Sequence, residues 1–247
     1  MKPQVYFIGA GPGDPELISV KAKKIIEQAD VIIYADSLVN PEVCSFARQD
    51  AEIHRSASLK LEDIVDIMKD AVMQGKLVAR LQSGDPAIYG AIYEQMAALE
   101  KNGINYEVIP RVSSLFAAAA ALKTEFTVPG LAQTVIITRI EGKTPVPETE
   151  KLKELAKHQA TLAIFLSIAH IEQVISKLLD GGYPGETPVA VVYKTSWPDE
   201  KIVRSTLNDI IPEVKKLGIN RQALILVGNV LNPAPRKVKR SAVYGKK

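Results

Sequence analysis

Gln4-Val5-Tyr6-Phe7-Ile8-Gly9-Ala10-Gly11-Pro12-Gly13-Asp14-Pro15 is the stretch whose reading decides the fold. Val5 to Ile8 is a short apolar run with β-branched and aromatic members, which reads as a buried strand. Three glycines then break it, so the chain turns tightly where something can press against main chain. A helix is expected next, with Ile18, Ala22, Ile25, Ile26 and Ala29 on one face, Asp14 as N-cap and Pro15 in the first turn. A glycine turn between strand and helix suggests a dinucleotide site, with Asp36 as the ribose-binding acid. The spacing Gly9-x-Gly11-x-Gly13 departs from G-x-G-x-x-G, however, and Asp14 stands where the third glycine belongs. A carboxylate there competes with phosphate for the helix end, so NAD and ATP are expected to bind poorly. A tight turn without any ligand is the plain alternative.

Working outward, strand and helix alternate. Strands are expected at 29–34, 76–81 and 106–109, with helices at 41–47, 61–73, 87–101 and 114–122. This order predicts an open parallel sheet with right-handed crossovers, whose ligands sit beyond the carboxyl ends of the strands. Three loops follow strands there, at 9–14, 83–86 and 110–114, and they form the site hypothesis. A break falls at 124–130. The second half then has strands at 133–139, 161–166, 188–193 and 222–227, and helices ending at His158, over 171–179 and over 207–217. Residues 201–204 are expected to pair antiparallel. The expected architecture is therefore two α/β domains, 1–123 with a mostly parallel sheet and 124–232 with a mixed one. Residues 233–247 form a basic tail expected to be flexible.

Composition excludes much. In 247 residues, 47% hydrophobic and 24% charged, a net charge of +3 gives no argument for nucleic acid. No apolar stretch reaches membrane-spanning length and no signal-peptide pattern opens the chain. The single cysteine, Cys44, excludes a disulfide framework and a thiolate cluster, fits a reducing compartment, and reads as a small buried hydrophobe. His54, His158 and His170 lie in separate segments without metal-ligand spacing. There is no G-x-x-x-x-G-K-[ST] and no G-x-S-x-G. What remains are main-chain-rich loops suited to holding a cofactor that supplies the chemistry.

The Gly9–Pro15 turn, Ala35-Asp36-Ser37-Leu38-Val39, the run from Gly84 to Ala91 and Glu94-Gln95-Met96 resemble the tetrapyrrole methylases. So do Gln133 to Arg139 with Glu141-Gly142-Lys143-Thr144-Pro145-Val146-Pro147, and Val192 to Glu200. The likeness covers residues 2 to about 232. Its narrower stretches point to the branch that methylates carbon 11 of precorrin-4 or cobalt-precorrin-4. A uroporphyrinogen-III methylase or a non-catalytic binding protein remain as alternatives. The resemblance implies S-adenosylmethionine in a cleft between two α/β domains and no metal. It also implies a tetrapyrrole small-molecule substrate and a homodimer in the cytoplasm. Carried onto this chain, the cofactor contacts fall at Pro12, Ser83, Gly84, Asp85, Ile88, Ser113, Ser114, Leu166, Lys194, Ala223 and Leu224. Asp36 is the expected acid near the ring. Arg80 and Arg139, with Lys194, are expected to meet substrate carboxylates. One position departs from the pattern. The family's Pro-Gly-Val-Ser-Ser reads Pro110-Arg111-Val112-Ser113-Ser114 here, so bulk and positive charge are expected beside a cationic cofactor.

Overall fold

A computed structural model describes residues 3–142 and 144–232. The expected basic tail and Lys143 lie outside the described residues. The chain divides into two compact units between Ala117 and Ala118, somewhat earlier than the expected line at 123/124.

The N-terminal unit carries strands β1 (Val5–Gly9), β2 (Val31–Tyr34), β3 (Glu52–Arg55), β4 (Val78–Gln82) and β5 (Tyr106–Ile109). They form one parallel sheet in the order β3-β2-β4-β1-β5. The period-two alternation of each strand sorts its side chains onto two faces. Tyr6, Ile8, Ile32 and Leu81 pack with Ala22 and Ile26 of helix α1 (Val20–Gln28). Phe7, Ile33 and Val78 pack on the other face with Ile64 and Met68 of α2 (Leu61–Met73) and Leu99 of α3 (Tyr93–Lys101). Burying each such aliphatic side chain contributes about 1.5–3 kcal/mol. Adjacent β1 and β4 thus send their crossovers to opposite faces. That opens a crevice at their carboxyl ends, where ligands of open α/β sheets bind.

Local expectations shift in several places. Asp14 caps a short 3₁₀ turn, Pro15–Leu17, through Glu16 N–H, and Ser19 caps α1 itself. The segment 41–47 is 3₁₀ over Pro41–Phe46. The helix expected from Ala87 starts at Tyr93, because Tyr89 and Ala91 adopt left-handed backbone with φ of 54° and 49°. Strand β3 is a mostly exposed edge.

Helix α4 (Ser114–Leu122) leads into the C-terminal unit. There β6 (Val135–Arg139), β7 (Thr161–Phe165), β8 (Pro188–Tyr193), β9 (Lys201–Thr206) and β10 (Ala223–Val227) form a mixed sheet, β6-β7-β10-β8-β9. Only β6 and β7 are parallel among the described pairs. One face packs Leu162, Ile164, Val191 and Ile225 against α5 (Leu152–Ala156), α6 (Ile171–Asp180) and α7 (Ile210–Lys216). Helix α5 ends at Ala156 rather than His158, and α7 spans Ile210–Lys216 rather than 207–217.

Candidate functional site

The crevice end of the N-terminal sheet is stitched mostly by main chain. Ala10 N–H donates to Gln82 O at 2.6 Å, and Gly11 and Gly84 exchange N–H···O bonds at 3.2 and 2.9 Å. Both glycines need left-handed backbone, with φ of 82° and 62°. Pro12 is buried in the same turn. Asn40, itself buried, donates its side-chain amide to Gly13 O at 2.9 Å and so ties the segment after β2 to this turn.

Asp85 joins two loops. One carboxylate oxygen accepts Ala87 N–H at 2.9 Å and the other accepts Arg111 N–H at 2.6 Å. Ile88 N–H closes a turn onto Asp85 O at 3.2 Å. A Cβ placed on Gly84 would meet Ser113 Cα and Ser114 N at 3.8 Å, so these expected contact residues come together. Ser113 is buried and its hydroxyl accepts Leu115 N–H, which starts α4. Gln82, 6% exposed, keeps its side-chain N–H₂ group without an acceptor among the described residues.

Arg111 folds back across the first turn. Nε donates to Leu17 O at 2.7 Å and Nη1 to Gly9 O at 2.9 Å, while buried Nη2 has no acceptor among the described residues. Burial pushes the guanidinium down to about 10, so it stays cationic at neutral pH.

The C-terminal unit gathers a second group. Leu166 follows β7, Lys194 follows β8 and Ala223 opens β10. Because β10 runs antiparallel to both neighbours, these ends share one sheet edge. Leu166, Lys194 and Gln222 hold left-handed φ of 53°, 46° and 52°, a strained conformation for residues with side chains. Lys194 N–H donates to Gln222 O at 2.9 Å. Leu166 is 65% exposed, whereas Leu224 is buried. The Lys194 amine is engaged within its own loop, 2.7 Å from Asp199 and over the Tyr193 and Trp197 rings. The Asp199 hydrogen bond holds its pKa above the ordinary lysine value.

The remaining expected residues differ in setting. Asp36 is exposed, and one carboxylate oxygen accepts Ala57 N–H at 3.0 Å. Arg139 donates to Ile140 O, Thr144 O and Pro145 O, bracing its own loop. Arg80 is placed differently from the others. It is 4% exposed and donates to Gln95 Oε1, Ser56 Oγ, Ile33 O and Leu81 O. Its β-strand parity turns it under the α2/α3 face rather than outward, where a substrate carboxylate would meet it. Burial pushes it down to about 10.

Sequence reasoning missed Asn40, Gln82 and Gln222. Asn40 before Pro41 carried a capping signal, and a glutamine ending an apolar strand ahead of Ser-Gly-Asp carried a weak one. Gln222 carried none. Among the described residues no group of three or more His, Cys, Asp or Glu could hold a metal ion, and no helix is long and apolar enough to cross a membrane.

A family model described as tetrapyrrole (corrin/porphyrin) methylases matches residues 4–211. The chain belongs to the tetrapyrrole methylases. Methylases of this family bind S-adenosylmethionine. The chain is 61% identical over 230 residues to the cobalt-precorrin-4 C(11)-methyltransferase of Methanocaldococcus jannaschii, covering 93% of this chain and 89% of that one. An X-ray structure of a cobalt-precorrin-4 methyltransferase of cobalamin biosynthesis superposes with a TM-score of 0.90 at 51% identity, covering 93% of this chain and 96% of the other. Uroporphyrin-III C-methyltransferase from Thermus thermophilus, complexed with S-adenosylhomocysteine, superposes with a TM-score of 0.77 at 27% identity, over 92% and 98% of the two chains. Two α/β units, one parallel and one mixed, are thus the methylase architecture in this chain.

Proposed function

We propose that this methylase transfers a methyl group from S-adenosylmethionine to carbon 11 of precorrin-4 or cobalt-precorrin-4. The observation that carries the reading is the 61% identity, over 93% of the chain, to the Methanocaldococcus jannaschii enzyme of that name. The loops fit such a donor: Gly11 and Gly84 leave main chain bare at the carboxyl end of the first sheet, and Leu166 and Lys194 form left-handed turns at one end of the second. Bound there, S-adenosylmethionine supplies a methyl group already activated on a sulfonium.

The chain's own work is then alignment and exclusion of water. Pro12, Ser83, Gly84, Asp85, Ile88, Ser113 and Ser114 hold the donor from the N-terminal unit. Leu166, Lys194, Ala223 and Leu224 hold it from the C-terminal unit. Asp36 acts as the acid near the ring, its carboxyl directed by the Ala57 N–H. Arg139 faces substrate carboxylates. The functional division is 1–123 and 124–232, and the enzyme works as a homodimer in the cytoplasm, without metal or nucleic acid.

Incubation with methyl-labelled S-adenosylmethionine and, in parallel, precorrin-4, cobalt-precorrin-4 and uroporphyrinogen III tests the reading. Label at carbon 11 of either precorrin-4 form is expected. Label only in uroporphyrinogen III would move the chain to that branch. Donor binding with no labelled macrocycle would make it a binding protein.

A further inference from the structure

Arg111 is placed to do the opposite of what its charge first suggests. Its main-chain N–H reaches Asp85 of the loop after β4, and its side chain reaches Gly9, where β1 ends and the turn begins, and Leu17 of the following 3₁₀ turn. One residue of the loop after β5 therefore braces both other loops. A glycine there would make neither side-chain bond. Arginine suits the task because its planar fork presents donors in fixed directions. Both acceptors are main-chain carbonyls at segment ends, one closing β1 and the other the 3₁₀ turn. The guanidinium makes no ion pair among the described residues, so its placement answers to those carbonyls rather than to an acid.

We propose that Arg111 is a positioning residue of this chain, which pre-forms the donor-binding turn Gly9–Leu17 by bracing it against the loops after β4 and β5. The proposal rests on the reading of those loops as the S-adenosylmethionine site. A turn ordered before binding avoids the ordering cost at binding. The brace acts on any ligand of the site, charged or not. Simple repulsion would act on the sulfonium of S-adenosylmethionine and spare the neutral sulfur of S-adenosylhomocysteine. Simple bulk would hinder both ligands, so its removal would tighten both. The three effects thus differ in sign or in ligand.

Calorimetric titration of both ligands against the wild-type chain, Arg111→Gly and Arg111→Lys is the test, with amide hydrogen exchange of each free protein. Arg111→Gly is expected to weaken both ligands by the same factor, about tenfold (about 1.4 kcal/mol). Arg111→Lys, which keeps one donor, falls between. In steady state the loss falls on KM for the donor and not on kcat. Exchange at the Ala10 and Gly11 amides is expected to rise in Arg111→Gly while the strand amides of the C-terminal sheet keep their protection. Tighter binding of either ligand, or no change in either, overturns the proposal. If the wild-type chain binds neither ligand, the cofactor reading fails instead, and unchanged exchange at Ala10 and Gly11 overturns the brace on its own.

Discussion

The carboxylate of Asp85 accepts the main-chain N–H of Arg111 at 2.6 Å, while its other oxygen takes Ala87 N–H. Both oxygens act as acceptors, and an amide offers only one. Asp85→Asn turns one of the two contacts into a donor facing a donor. The expected loss is about 1–3 kcal/mol of stability, with weaker S-adenosylhomocysteine binding. Denaturant unfolding and calorimetry on the variant check both. A variant as stable as wild type would show that the Asp85–Arg111 bond does not hold the loops.

Gly9 and Arg111 should be coupled. A Cβ on Gly9 would run into Arg111 Cβ and lie 2.6 Å from Gly84 O. Gly9→Ala is expected to cost about 1–3 kcal/mol by overpacking. Arg111→Gly removes the first obstacle and leaves the carbonyl and Pro86 Cδ, 3.1 Å away. The double variant should therefore be less destabilised than the sum of the singles. A cycle of four unfolding curves measures the coupling, and strict additivity would contradict the geometry.

Leu166 combines a left-handed backbone with 65% exposure, so its side chain adds little to its own unit's core. Leu166→Gly relieves the backbone and is expected to leave the melting temperature level or slightly higher. Donor affinity is expected to fall several-fold if the side chain covers the ligand. A clear drop in melting temperature would instead mean that Leu166 packs structurally.

Tyr183 is buried and donates its hydroxyl to Ala160 O, and burial raises its pKa above the ordinary 10.0. The folded chain then holds this proton more tightly than the unfolded one. That contribution is complete below pH 10.0 and is lost as pH rises beyond it. Tyr183→Phe should flatten the alkaline limb of stability against pH, while lowering the neutral plateau by about 0.5–1.5 kcal/mol for the lost hydrogen bond. Unfolding curves at stepped alkaline pH would show both.

The parallel sheet was readable in the first half because Val5–Ile8 and Val31–Tyr34 are buried on both faces and carry unbroken apolar runs, and Val78–Leu81 is interrupted only at Arg80. Strand β3 was not, since Glu52, Ile53 and Arg55 are exposed at an edge and show no such run. The loops of the candidate site were legible from glycines and polar residues after strands. Which way Arg80 and Arg111 turn was not. Strand parity and the carbonyls left over at segment ends decide that, and both emerge only once the sheet order is known.

That sheet order also has a consequence during synthesis. Strand β1 leaves the ribosome first, yet its neighbours are β4 and β5, with Val5 opposite Val78 and Tyr106. At about 5–20 residues per second, the roughly 70 residues before β4 take on the order of 4–14 s to emerge. Through that interval Val5–Ile8 is an apolar strand with both edges open, a template for wrong partners. The nascent chain thus depends on slow intermolecular encounter, or on a holdase chaperone, until residue 82 is available to close the first ladder of β1.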